Sequence, residues 1–315
     1  MYRRTSVACL FAIAFAQDAT FRATVPEVLV PATVTDSKGK YIDGLSARDF
    51  ILLDNGTPQQ IRLDTADAAT VPLAVLFVVQ ADEAATAAVL KIRKVGSTIQ
   101  PLITGERGHA AVLSYGLKPS LVQDFTSDPE EITRAFKAIK SENDGAAAML
   151  DAVAEGATLL GLRPSNERRI IVVVGETRDR GSKTKLTELL KFIERGSITV
   201  FSVVYSAYLT PFTTKAGELP PPEGGPNFLE AITRLGKTNA AAALADASGG
   251  RKLSFATLRS LERIMGHVGE ELHSQYLLSY TPPRGQPGFH TVTVKLREQP
   301  GAIVRNRPGY WSDEK

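Results

Sequence analysis

Sulfur is nearly absent from this 315-residue chain, which holds one cysteine, Cys9, and three methionines. A lone cysteine excludes a disulfide framework and any metal site built on cysteine pairs. Histidine is scarce too, limited to His109, His267, His273 and His290. His267 and His273 stand six apart in one predicted helix, off a common face, so no two-histidine metal site is expected there. His109 and His290 fall on predicted strands with no ligand spacing around them, and read as surface or hydrogen-bonded polar residues. Several motifs are also missing. There is no GxxxxGK[ST] phosphate loop, no GxSxG context around Ser114, and no basic stripe interleaved with aromatics. These absences exclude a P-loop nucleotide site, a hydrolase nucleophile elbow and a nucleic-acid footprint.

What is present describes an ordinary globular chain, with 43% hydrophobic and 23% charged residues and a net charge of +3. Residues 1–16 form a segment of their own. Arg3 and Arg4 precede the apolar run 7–16, and Ala14, Phe15 and Ala16 make an A-x-A cleavage signal. That order reads as a secretory signal peptide, with an apolar run too short to anchor in a bilayer. Its removal takes Cys9 and two positive charges, turning +3 into +1. The mature chain is then expected to be secreted or periplasmic.

Residues 17–70 alternate in the β manner. Strands are predicted over 27–35, where Pro31 suggests an edge or an irregularity, and over 50–54 and 59–63, joined at Asn55 and Gly56 as a hairpin. From residue 71 to 273 the rhythm changes to βα. Apolar runs at 73–79, 170–174 and 198–204 read as buried parallel strands, with 110–115 a further strand and 121–125 its edge partner. Helices are predicted over 86–99, 129–139, 146–160, 184–194, 239–247 and 256–273. Residues 208–226, rich in proline and glycine, read as a long exposed loop. Gly249 and Gly250 read as a helix stop. Strands return over 274–315, at 275–280, 289–296 and 302–305. The expected fold is α/β, a doubly wound and mostly parallel sheet inserted in a small β-sandwich-like domain. Segments 17–70 and 274–315 would pair to make that sandwich, since neither has enough strands alone.

In such a sheet, ligands bind where strands end and helices begin. The turn after the first parallel strand, Gln80, Ala81, Asp82, Glu83 and Ala84, is therefore the first candidate site. Landmarks along the chain are similar to those of secreted proteins with a von Willebrand factor type A-related domain, of the kind typical of acidobacteria. They are VPATVTD at 30–36, GLSARDF at 44–50, DNGTPQ at 54–59, PLAVLFVV at 72–79, DFTSD at 124–128, Gly249 and Gly250, QYLLSYTP at 275–282 and RPGY at 307–310.

The resemblance implies a metal-ion-dependent adhesion site built from D-x-S-x-S, a threonine and a later aspartate, which gives Mg²⁺ hard oxygen ligands. Placed on this sequence, those positions carry Gln80, Asp82, Ala84, Ala147 and Glu176. All five depart from the pattern, so the site is expected to be degenerate. Gln80, Asp82 and Glu176 retain oxygens that could meet Mg²⁺ or Ca²⁺; Ala84 and Ala147 supply none. Without a metal, Gln80 is expected to bond loop backbone while Asp82 and Glu83 serve the helix start.

Two lesser candidates complete the reading. Asp151 and Glu155, four apart on one helix, could act as paired carboxylates but read as a solvated face. Tyr276, Tyr280, Tyr310 and Trp311 gather in the C-terminal strands as packing, or as an aromatic contact patch. The expected function is an exported, non-enzymatic interaction or adhesion module, without cofactor, binding a protein or cell-envelope polymer independently of metal. A metal-dependent variant through Asp82, Glu176 and Gln80 is the alternative. A hydrolase using Asp151, Glu155 or His109 is a remote one, because no nucleophile–base–orienter set is visible.

Overall fold

A computed structural model describes residues 27–63, 71–103, 108–141, 145–164, 166–205, 228–283 and 286–312. The signal-like segment with Cys9 and the proline-rich stretch 208–226 lie outside the described residues. In chain order the elements are β1 (Val28–Thr35), β2 (Phe50–Asp54), β3 (Thr57–Pro58), β4 (Arg62–Leu63), β5 (Leu73–Gln80), α1 (Thr86–Ile103), β6 (His109–Tyr115), β7 (Pro119–Thr126), α2 (Pro129–Ala138), α3 (Met149–Gly161), β8 (Arg168–Gly175), α4 (Leu186–Arg195), β9 (Ile198–Tyr205), α5 (Phe228–Gly236), α6 (Ala240–Ser248), β10 (Lys252–Phe255), α7 (Leu258–His273), β11 (Tyr276–Tyr280), β12 (Gly288–Leu296), β13 (Ile303–Asn306) and β14 (Gly309–Ser312).

The largest sheet has the order β10-β9-β8-β5-β6-β7, parallel except for β7. β5 lies inside it and is buried along its whole length, which explains why LAVLFVVQ is apolar without alternation. Its pleat divides the core in two. Leu73, Val75, Phe77 and Val79 pack with α1, α2 and α7 on one face. Ala74, Leu76 and Val78 pack with α3, α4, α5 and α6 on the other. A sheet wound on both faces leaves the carboxyl ends of β5 and β8 side by side, because Val79 is in register with Val174. Helices start where the side chains allow: Asp128 caps α2 ahead of Pro129, and Thr257 caps α7. Gly249 ends α6 at φ +77°, and a Cβ on Gly250 would lie 2.0 Å from the Val200 carbonyl oxygen. Only glycine permits that approach of the α6–β10 turn to β9.

The remaining strands form two four-stranded sheets among the described residues, β13-β1-β11-β4 and β14-β12-β2-β3. Val30, Ala32, Val34 and Leu278 of one face Phe50, Leu52, Val292 and Val294 of the other. Asn55 (φ +47°) and Gly56 (φ +80°) make the hairpin after β2. Its return strand is Thr57–Pro58, however, and the expected strand 59–63 survives only as β4, which crosses to pair with β11. β1 is internal, not an edge: it pairs with β11 on one side and β13 on the other. Pro31 is tolerated because the β13 pairing begins only at Ala32.

A buried polar group ties the two small sheets together. Asp54 Oδ2 accepts from the hydroxyls of Tyr280 (2.9 Å) and Tyr310 (2.8 Å). Asp54 Oδ1 meets His290 Nδ1 at 2.8 Å, and His290 Nε2 lies 2.7 Å from the Gln286 carbonyl oxygen. Asp54 and His290 are 1% and 2% exposed. A buried carboxylate with three donors is satisfied, and removing one of them would leave charge uncompensated.

Glu194, on α4, is 3% exposed. Burial pushes its carboxyl up to about 8, with Arg307 pulling in the opposite direction. Between its ordinary 4.5 and that value, the unfolded chain has released the proton and the folded chain holds it. Stability therefore falls as pH rises through this window. Urea unfolding should show the decline between pH 5 and pH 8 on the order of a few kcal/mol. Glu194→Gln should flatten the slope and be more stable than the parent at the upper end. A parent that gains stability across this window would refute the assignment.

Candidate functional site

The site forms where β5 and β8 end. Gly175 closes β8 at a point where a Cβ would lie 2.5 Å from Tyr115 Oη and 2.7 Å from Gln80 Oε1. Without that Cβ, the Gln80 side chain reaches across, and its Oε1 accepts from the Glu176 amide at 2.6 Å. Gln80 Nε2 donates to Asp82 Oδ1 at 2.8 Å. The same Oδ1 accepts from the Ala85 amide at 3.1 Å, capping the short 3-10 turn that leads into α1.

Arg180 completes the cluster. Its Nη2 lies 2.8 Å from Asp82 Oδ2 and 2.8 Å from Glu176 Oε2, so one guanidinium nitrogen bridges both carboxylates. The backbone holds it there: Arg180 and Ala147 exchange two hydrogen bonds, Arg180 N to Ala147 O at 2.8 Å and Ala147 N to Arg180 O at 2.9 Å. Loop 176–184 is stitched further to the start of α3, whose cap residue, Ala148, has no side-chain acceptor. Asp179 Oδ1 accepts from the Leu150 amide, Ser182 Oγ accepts from the Asp151 amide, and Asp151 accepts in return from the amides of Lys183 and Thr184. Burial opposes charge on Asp151, but the Thr184 and Lys183 bonds outweigh it and hold its carboxyl below the usual range. Asp151 is therefore a loop latch, not half of a solvated pair; Glu155 is exposed.

Two tyrosines frame the cluster. Tyr205, at the end of β9, donates to the Ala84 carbonyl at 2.9 Å. Burial, with Glu176 and Asp82 nearby, raises its hydroxyl above the ordinary value. Tyr115, under the site, is 1% exposed, and its hydroxyl has no hydrogen-bond partner among the described residues. Burial holds it well above the ordinary tyrosine value, and the carboxylates of Asp82, Asp179 and Glu176 add to that effect.

Five positions singled out in the sequence thus lie around one corner. Gln80, Asp82 and Glu176 are hydrogen-bonded together, Ala147 holds Arg180 through backbone, and Ala84 contributes only its carbonyl. Arg180, Asp179, Ser182, Tyr115 and Tyr205 were not singled out. Arg180 lies four residues after Glu176, and that acid–base spacing is its one signal in the sequence.

The donor set does not fit a divalent ion. Both Asp82 oxygens, Glu176 Oε2 and Gln80 Oε1 are committed to N–H donors, a guanidinium stands against both carboxylates, and Ala84 and Ala147 offer no side-chain oxygen. A six-oxygen shell would have to displace Arg180 first. Among the described residues, no group of three or more His, Cys, Asp or Glu side chains has metal-holding geometry.

Other candidates are used internally. His290 and Asp54 have acid–imidazole geometry but are closed off from solvent in the sandwich. His109 lies 3.4 Å from Glu167, whose carboxylate is also held by Arg163, and His267 pairs with Glu270. Tyr280 and Tyr310 are buried packing groups, and Lys191 lies over the Trp311 ring at 4.4 Å.

No family model matches the sequence, and no curated protein does. Solved structures similar to the chain include a von Willebrand factor type A protein from Catenulispora acidiphila, at 9% identity, 93% of this chain, 76% of that chain and TM-score 0.48. An aerotolerance-related membrane protein from Bacteroides fragilis matches at 14% identity, 64% of this chain, 98% of that chain and TM-score 0.44. The vWF domain of a type V pilus tip protein from Porphyromonas gingivalis matches at 9% identity, 64% of this chain, 95% of that chain and TM-score 0.44. At these identities and TM-scores the likeness assigns no function.

Arg180→Met should destabilise the chain, because it leaves Asp82, with a side chain 1% exposed, without its cation. Arg180 is 42% exposed, so the loss should be on the order of 1–3 kcal/mol, below that for a wholly buried pair. Adding Asp82→Asn to this variant should recover most of it. Urea unfolding of the two variants and the parent is the measurement; a single variant as stable as the parent would contradict the bridge.

Proposed function

We propose that this chain is an exported, non-enzymatic interaction module that binds a protein or cell-envelope polymer at the carboxyl edge of its large sheet without a metal ion. The observation that carries this reading is the Arg180 guanidinium, which bridges Asp82 and Glu176 while 42% of its side chain remains in solvent. A guanidinium fixed at the exposed end of a buried hydrogen-bond network is preorganised to offer its remaining N–H donors to an acceptor on a partner, with no ion to recruit. Arg178 and Lys183 in the same loop and Lys118 in the β6–β7 turn are also exposed, while Asp82, Asp179 and Asp151 are turned toward backbone and loop donors. Glu83 is exposed beside them, so the face presents charges of both signs.

The non-enzymatic part is supported by the enclosure of the Asp54–His290 pair and by the engagement of Asp151 with backbone. Export is supported by the charged, apolar and A-x-A regions of residues 1–16. Among the described residues no helix is long and apolar enough to cross a membrane.

Calorimetry and thermal unfolding with Mg²⁺, Mn²⁺ and Ca²⁺ at millimolar concentration test the metal-independent part. The expected result is no saturable heat and no shift in midpoint with any of the three. A one-site isotherm that Asp82→Asn abolishes would overturn the reading. Capture of a partner from an exported fraction should be equal in chelator and in Mg²⁺, and should fall with Arg180→Glu.

A further inference from the structure

At the opposite end of the large sheet, a cavity of about 200 Å³ opens between the chain entering β1, the start of β8 and the α4–β9 turn. Three arginines line it: Arg168, Arg169 and Arg195. Arg168 is 4% exposed, and its guanidinium donates to the Leu272 carbonyl (2.7 Å) and to the Gln275 side-chain oxygen, both neutral acceptors. Arg169 donates to the carbonyls of Gly196 (3.3 Å) and Arg163 (3.1 Å), and its Nε is buried with no partner among the described residues. The two carboxylates in the lining are already matched from outside it. Glu167 is held by Arg163 through two bonds, at 2.7 and 2.8 Å, and Glu27 lies 3.5 Å from Arg62. Behind Ser197, another lining residue, Arg307 is faced by Glu194.

Arg168 and Arg169 therefore place positive charge in a partly desolvated space, with their guanidinium groups bonded to neutral acceptors. Burial of such charge is unfavourable unless an anion compensates it, and planar guanidinium groups are suited to oxyanions. A cavity of this volume holds on the order of six waters at about 30 Å³ each, and so has room for a phosphate-sized ion. We infer that this cavity binds a free phosphate-class oxyanion and that the bound ion pins the sandwich, through β1, to the large sheet, through β8 and β9. The site is distinct from the Arg180 corner and does not depend on it.

The test is titration of the purified chain with inorganic phosphate, by calorimetry and by thermal unfolding, against sodium chloride at matched ionic strength. The expected result is one saturable site and a rise in midpoint beyond that given by chloride. Arg169→Gln and Arg195→Gln should each weaken binding by roughly tenfold or more, as expected for loss of a charge-assisted bond. Using both variants keeps the test decisive if one fails to fold, and the comparison with chloride needs neither. Phosphate acting no more strongly than chloride would overturn the inference, as would binding left undiminished by a folded variant. Glycerol 3-phosphate separates the sources of the ligand: its exclusion supports a free ion, and equal binding overturns that assignment in favour of a phosphoryl group on a larger molecule.

Discussion

One guanidinium organises the carboxyl edge of this protein. Asp82 caps the turn into α1 and is nearly inaccessible, so its charge needs a partner within the fold. Arg180 supplies it, from a loop 98 residues further along the chain, and takes Glu176 on the same nitrogen. Everything near the corner follows from keeping that group in place. Gly175 makes room for the Gln80 side chain, Gln80 orients Asp82, the Ala147–Arg180 bridge fixes the loop backbone, and Asp179, Ser182 and Asp151 fasten the loop to α3. Small residues at 84 and 147 leave side-chain oxygens out of the corner, so the cation present is covalently part of the chain.

Such an arrangement has a different physical character from an ion held by oxygen ligands. An arginine cannot dissociate, does not respond to metal availability and stays charged throughout the physiological range. Its bridging geometry also absorbs the repulsion between Asp82 and Glu176 that would otherwise raise the cost of placing both at one strand end.

Much of the architecture was readable from residue patterns. The both-faces burial of β5, β8 and β9 is visible in their unbroken apolar runs, and the helix stop at Gly249 is visible as a residue type. The misses have physical causes. α5 adjoins a proline-rich stretch that masked its short amphipathic pattern, and β10 and β14 are four-residue strands too brief to show a period. Strand 59–63 shrank to β4 because the return strand of the hairpin is 57–58 and only 62–63 reach β11, and Pro31 sat on an internal strand because one neighbour stops short of it. At the site, the turn that carries Gln80 and Asp82 was legible as the end of an unbroken apolar run. Arg180 was not, since its role depends on a loop returning to β5 from far along the chain, and the latch formed by Asp151 was hidden for the same reason.

The central claim is that Arg180 occupies the position a divalent ion would need. An anomalous difference map from crystals soaked in millimolar Mn²⁺ at neutral pH addresses it most directly. The account predicts guanidinium density bridging Asp82 and Glu176, with no anomalous peak between them. A peak coordinated by those two carboxylates, with Arg180 swung into solvent, would contradict it.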